Sequence, residues 1–159
     1  MRRLVTFAVL ALAAGSAAAQ LPGLRKRQPV PPAPVLVGID ALRADFLAQT
    51  GSATVYFGGD ASVLTPAARA TLTAQAAWLR LHPEVVVRIE GHADPSDTRD
   101  HALAVGARRA EEVRNYLVLL GVPAAQLTTL SWGKEKVAVL GSAPEALALN
   151  RRAVTVLVR

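Results

Sequence analysis

Cysteine is absent from all 159 residues. That excludes disulfides, cysteine-held zinc, thiol catalysis and lipid attachment through a lipobox cysteine. Aromatic residues make up only 4% of the chain, too few for a platform on which nucleobases stack. The three histidines, His82, His92 and His101, lie 10 and 9 positions apart, and those separations fit no helical pair of metal ligands. No metal and no cofactor is therefore expected. A long hydrophobic run is missing too. The apolar stretch Leu4–Ala14 falls short of the roughly 20 residues a spanning helix needs. The net charge of +6 invites a polyanion reading, but five of the 18 basic residues lie in the first 27 positions. From Ala44 to Arg159 there are 12 basic and 11 acidic side chains. Mixed signs and near-neutrality argue against nucleic acid as a partner.

What is present fits one domain behind a leader and a tether, with 52% apolar residues to build a core. Residues 1–19 read as a secretory signal: Arg2 and Arg3, then the apolar run, then Ala17-Ala18-Ala19 before Gln20. Cleavage is expected after Ala19. Residues 20–43 read as a linker, with Pro22, Pro29, Pro31, Pro32 and Pro34 around the basic triplet Arg25-Lys26-Arg27. Proline at this density favours an extended chain over a core. Leu36–Gln49 reads equally as a short helix or as irregular cover.

The domain proper, residues 44–159, alternates strand and helix. Thr54–Phe57 is a short strand. Thr65-Pro66 opens a helix, because threonine caps free N–H groups and proline loses nothing at the first helical position. Ala68, Leu72, Ala76 and Leu79 give that helix its apolar face, and His82-Pro83 ends it. Val85–Gly91 alternates Val85, Val87 and Ile89 with Arg88 and Glu90, the pattern of a sheet covered on one face. A long helix from about Leu103 to Leu120 shows its apolar face at Leu103, Ala107, Ala110, Val113 and Leu117, and stops at Gly121 before Pro123. Leu127–Trp132 is the next strand. Ser142 and Glu145 have capping-box spacing for a short helix to about Leu149. Ala153–Val158 is a β-branched last strand. The order βαβαβαβ, with helix-length crossovers, predicts an α/β, two-layer (α+β) domain with parallel strand pairs.

Function concentrates between Ile89 and Arg109. A strand end carries Asp94 just beyond it, a polar loop follows, and the long helix carries Arg108 and Arg109. Strand ends are where ligands tend to bind in such sheets. Helical geometry puts Arg108 opposite the apolar face, in solvent, and Arg109 at its edge, half-buried and aimed at the neighbouring loop. Asp94 and Arg109 are the expected ligand-binding pair.

Gly91-His92-Ala93-Asp94, then Arg108-Arg109-Ala110, resembles the OmpA-like peptidoglycan-binding domain family, and within it the Pal (peptidoglycan-associated lipoprotein) branch. Val55-Tyr56-Phe57, Leu120-Gly121-Val122, Ser131-Trp132-Gly133-Lys134-Glu135 and Asn150-Arg151-Arg152-Ala153 extend the likeness from about Asp45 to Arg159. The resemblance implies a mixed four-stranded sheet with helices on one face. It also implies a non-enzymatic periplasmic domain whose ligand is the diaminopimelate side chain of the peptidoglycan stem. TolB is the protein partner it suggests, and outer-membrane association the location, although the cysteine that carries such proteins' lipid is missing. The family's acid and arginine are 15 positions apart, as are Asp94 and Arg109.

Around that pair, His92, Asp97, Ala102, Phe57, Asn150 and Arg151 form an expected second layer. Asn150-Arg151-Arg152 reads either as part of the cleft wall or as a cap on the last strand, with Arg152 solvated. Asp97 stands where the family has glycine, Ala102 where it has asparagine, and Gly58-Gly59 where it has acidic and apolar residues. These departures motivate a first rival, an interaction protein whose wall site has decayed. A His92–Asp94 general-base pair motivates a second, an envelope hydrolase.

Overall fold

The computed structural model describes residues 38–59 and 61–158. The expected signal and most of the expected linker lie outside the described residues. The first element, helix α1 (Ile39–Thr50), begins before Ala44, so the folded part takes in the end of the stretch read as linker. Strand β1 (Thr54–Tyr56), helix α2 (Pro66–Leu81), strand β2 (Val87–His92) and helix α3 (Arg99–Leu119) follow. A turn of 3₁₀ helix (Ala124–Gln126) leads into β3 (Leu127–Gly133), then α4 (Pro144–Asn150) and β4 (Arg152–Leu157).

The sheet order is β1-β4-β2-β3. Only β2 and β3 run parallel; β4 is antiparallel to both β1 and β2. The parallel pairing expected from crossover length holds for β2 and β3 but not for β4, and the mixed sheet that the resemblance implies is what forms. Strand β4 returns between β1 and β2 instead of adding at the edge. Beside β2, Gly91 faces Ser131 but His92 faces Gly133, so β3 carries one extra residue, Trp132, at that end. Such a bulge re-aims side chains where a strand runs out.

Local signals explain most boundaries. The Thr65 hydroxyl accepts from the Ala68 N–H at 3.1 Å, and Pro66 opens α2. At the end of α3, Gly121 takes φ 89°, its N–H reaches Val118 O at 2.9 Å, and Val122 N–H reaches Leu117 O at 3.1 Å. This is a Schellman close, sealed by the buried Leu117 and Val122. Two boundaries differ from expectation. Helix α3 starts at Arg99, one turn before Leu103, because Thr98 caps it by accepting from His101 N–H at 3.4 Å. Helix α4 starts one residue late for a Ser142–Glu145 capping box. Ala143 is its N-cap, no side chain caps it, and Pro144 takes the first helical position.

The core lies between the sheet and the helices. Val85, Val87, Ile89, Leu72, Leu79 and Leu117 are fully buried there, with Phe46 of α1 edge-on to Trp78 at 5.1 Å. Helix α3 crosses β2 at a pair of glycines. A Cβ on Gly91 would lie 1.9 Å from Gly106 O, and one on Gly106 would lie 2.4 Å from Ser131 Oγ. Backbone thus meets backbone, and α3 sits closer to β2 than any side chain would allow. The residue three positions past Gly106 is Arg109.

Candidate functional site

Asp94 follows the end of β2, where Ala93 N–H is held by Gly133 O at 2.8 Å. Its Oδ1 accepts from the Ser96 N–H at 3.0 Å and from the Ser96 hydroxyl. This is an Asx turn that aims the carboxylate back over the strand end. Its Oδ2 accepts from Arg151 Nη1 at 3.3 Å. Burial would raise the pKa of this carboxyl, but the Ser96 hydrogen bonds and the Arg151 charge outweigh it and hold the group below its ordinary value. Asp94 is therefore an anion, 8% exposed.

Arg109 is not at the edge of a buried face but on it. The buried stripe of α3 runs Ala102, Val105, Gly106, Arg109, Ala110, Val113, Leu117, while Ala107 is exposed. Burial of Ala102, Val105 and Gly106 in place of Leu103 and Ala107 shifts the stripe towards Arg109. Its exposure is 0%. Nε donates to Ala61 O at 3.1 Å, Nη1 to His92 O at 2.8 Å, and Nη2 to Gly59 O. The guanidinium carbon lies 5.3 Å from the centre of the buried Phe57 ring, a cation–π distance. Arg109 thus ties the 58–61 loop to the end of β2, two residues before Asp94. Arg108, next to it, is exposed as expected.

The surrounding residues divide into those that reach the Asp94 loop and those that brace other segments. Arg151 joins Asp94 across 57 positions, and its own carbonyl accepts from Phe57 N–H at 2.8 Å. Asn150 is fully buried and braces the 138–139 loop, accepting from Ala138 and Val139 N–H at 2.6 and 3.2 Å and donating to Val139 and Ala146 O. Asp97 is exposed and serves its own loop. It accepts from Thr98 N–H at 2.8 Å, lies 3.3 Å from His101 Nε2, and takes the Lys134 ammonium on its carbonyl. Ala102 is buried with Ala93 and Val105 in a small apolar cluster under the loop. Arg152, expected in solvent, is half-buried, with Nη2 on Lys136 O at 3.2 Å.

His92 does not form the proposed dyad. Its Nδ1 meets Lys136 O at 3.1 Å, and because a carbonyl only accepts, that nitrogen carries the proton. Burial, with the Arg152 charge behind it, lowers its pKa from 6.5 to about 4, against the opposing pull of the Lys136 carbonyl. It is a neutral strut at neutral pH. Among the described residues no cluster of histidine and carboxylate suits a metal ion, and no helix is long and apolar enough to cross a membrane. A groove of about 490 Å³ between α1 and α2 is lined by Asp45, Gln49, Trp78 and His82 and by none of the site residues. Trp78 Nε1 donates to Asp45 Oδ2 there at 2.7 Å, closing a packing seam.

Ser96 is the site residue that sequence reasoning missed. The Asp-Pro-Ser order at 94–96 carries the signal, since aspartate commonly bonds the backbone two residues on.

Residues 56–151 match the OmpA family. A peptidoglycan-associated lipoprotein of Rhizobium meliloti is 44% identical over 113 residues, which cover 71% of this chain and 64% of that protein. One of Haemophilus influenzae is 45% identical over 101 residues, 64% of this chain and 66% of that one. The chain thus spans a little under two thirds of the length of the first of these relatives. Among solved structures, the peptidoglycan-associated lipoprotein of Burkholderia pseudomallei superposes with TM-score 0.66 at 39% identity, covering 67% of this chain and 91% of that one. The C-terminal domain of Helicobacter pylori MotB gives 0.62 at 18% identity, over 67% and 84%, and speaks for the fold alone. Sequence and architecture agree, and the chain belongs to the OmpA family.

Proposed function

We propose that this chain binds peptidoglycan non-covalently in the periplasm, through the free end of the diaminopimelate side chain, and so organises the envelope without catalysing a reaction. The observation that carries the reading is the Asp94 carboxylate, ionised and held by Ser96 at the end of β2 with the Arg151 guanidinium beside it. The end of that side chain is a zwitterion, one ammonium and one carboxylate on a single carbon. An aspartate accepts from the first, and a guanidinium donates to the second in bidentate geometry. Arg109 belongs to this site as the charge that fixes the 58–61 loop against the end of β2. The names of the relatives support the same ligand. A Tol–Pal-like assembly with TolB is the protein context, and an exported, envelope-facing location follows from the leader-like first 19 residues.

Sedimentation with purified sacculi, with titration by a diaminopimelate-containing peptide, tests this. Asp94→Ala should cost about 1.5–3 kcal/mol, roughly a 10- to 150-fold loss of affinity, while Arg108→Ala, which removes an exposed charge away from the site, should bind as wild type. A loss with Arg108→Ala and none with Asp94→Ala would mean simple adsorption to an anionic polymer. Release of soluble muropeptides would overturn the non-enzymatic part.

A further inference from the structure

Strand β3 closes one side of the sheet, and among the described residues it pairs with β2 alone. Its other edge offers main-chain N–H and C=O groups to a strand laid beside it. Proteins usually guard such an edge with charge, proline or shortness. Leu127 to Gly133 includes no charged residue and no proline, and its seven residues make it the longest strand of the sheet. Helix α3 lies over the same edge. Thr129 Oγ1 donates to Glu111 Oε1 at 2.7 Å, and Ser131 Oγ donates to Leu103 O at 2.7 Å. At about 100° per residue, Asp100, Leu103, Ala107, Glu111, Arg114 and Val118 share the flank of α3 on that side. Leu103 and Ala107 are apolar residues that the helical pattern sends to the core and the core does not take. Leu103 is half-buried, Ala107 is exposed, and Val118 further along is 38% exposed.

We propose that this edge and flank form a two-fold interface between two copies of the chain. Antiparallel pairing of β3 with the second copy's β3 closes on an axis through the sheet and keeps both helical layers on one side. Centred on the strand, the axis passes beside Leu130 and sets Thr129 opposite the second copy's Ser131. Glu111 stands over Thr129 and Leu103 over Ser131, so Leu130 is level with Ala107, midway between them on α3. The same axis therefore brings the two α3 helices together, antiparallel, at Ala107, where a lone methyl group permits close approach. Seven positions to either side of Ala107 stand Asp100 and Arg114. Each aspartate thus meets the other copy's arginine, and Glu111 meets the second copy's Leu103 and not a like charge. One operation pairs the strand edges and matches the helix charges, which is what an isologous interface requires. Two four-stranded sheets become one. The two Asp94 loops then lie at its opposite ends, because the two β2 strands run antiparallel. The interface does not depend on what those loops bind.

The full chain lacks cysteine, so single introduced cysteines report contact cleanly. Under mild oxidation Ala107→Cys should cross-link into a covalent dimer, while Arg108→Cys, on the solvated side of the helix, should stay largely monomeric. Sedimentation velocity over about a hundredfold range of concentration should show a monomer–dimer equilibrium for wild type. Leu130→Lys sets lysine against lysine at the axis and should abolish it. Asp100→Arg and Arg114→Asp should each weaken association by about tenfold, because the axis makes each exposed pair twice. The double swap should restore it. A thermal melt accompanies every variant, and recovery in the double swap separates a lost contact from a damaged fold. A wild type that stays monomeric throughout, equal cross-linking at positions 107 and 108, or a double swap no better than the single changes would overturn the interface.

Discussion

The two ends of α3 are held by different chemistry. From Ala110 to Leu117 the helix packs Ala110, Val113 and Leu117 into the main aliphatic core with Leu72, Leu79 and Ile89. From Arg99 to Arg109 its apolar contribution shrinks to Ala102 and Val105, clustered with Ala93. The work there passes to side chains that bond main-chain groups: Thr98 on His101 N–H, Arg109 on three carbonyls, and Asp94 on Ser96 N–H. Apolar packing is non-directional and tolerates exchange of similar volumes. Directional bonds to carbonyls fix loops to within ångströms but leave costly orphans when one partner is lost. A binding end needs the second kind of order, and a supporting end needs only the first.

The sharpest way to break this contrast is Arg109→Met, which keeps bulk and removes the charge. It strands Ala61 O, His92 O and Gly59 O at once and should cost about 3–5 kcal/mol. Amide exchange should quicken first in the 58–61 and 94–98 loops. Leu79→Ala, at the other end, should cost about 2–5 kcal/mol through its cavity. It should lower the melting temperature while leaving peptide affinity of the folded fraction intact. If both variants weaken binding alike, the two ends are not separate.

Gly91→Ala tests the crossing between them. The added Cβ would meet Gly106 O at 1.9 Å, and the displaced helix should cost about 1–3 kcal/mol with a loss of wall binding, because Arg109 moves with it. A pH series comes next. The folded-state pKa of His92 is lowered to about 4 from 6.5, so between those values the unfolded chain binds a proton that the folded chain refuses. Its contribution to stability is intact above pH 6.5 and is lost as pH falls towards 4. His92→Gln should flatten that part of the melting-temperature profile. Asp94, held below its usual range, contributes at higher pH and loses its share only below the ordinary carboxylate pKa of 3.8. Arg108→Ala, in solvent, should move stability by less than about 0.5 kcal/mol, measured by the same melt.

The sequence was most legible where the signal is local. Thr65-Pro66, the Gly121 close of α3 and the alternation through Val87 and Ile89 need only neighbours to be read. The position of Asp94 just past the end of β2 was legible in the same way. Three features resisted. The first turn of α3, Arg99-Asp100-His101, carries no apolar periodicity, so a helix start there is silent until Thr98 is seen to cap it. With Leu103 and Ala107 taken for the apolar face in place of Ala102, Val105 and Gly106, Arg109 was placed at an edge instead of in the buried stripe. Capping-box spacing at Ser142 competed with Pro144, and the proline's fixed φ decided the register. The Asp94–Arg151 bond joins residues 57 positions apart. Only the antiparallel return of β4 beside β2 brings them together, and no local pattern announces it.

The position of β2 in the sheet also has a mechanical consequence. The strand that ends at the site is bonded along both sides, to β3 on one and β4 on the other. A pull applied at Asp94 along the strand must slide two ladders at once, loading their hydrogen bonds in parallel. The same pull on an edge strand would unzip one ladder a bond at a time. Should the proposed wall ligand be held at Asp94, the tension it transmits meets both ladders of β2 together and not a single edge.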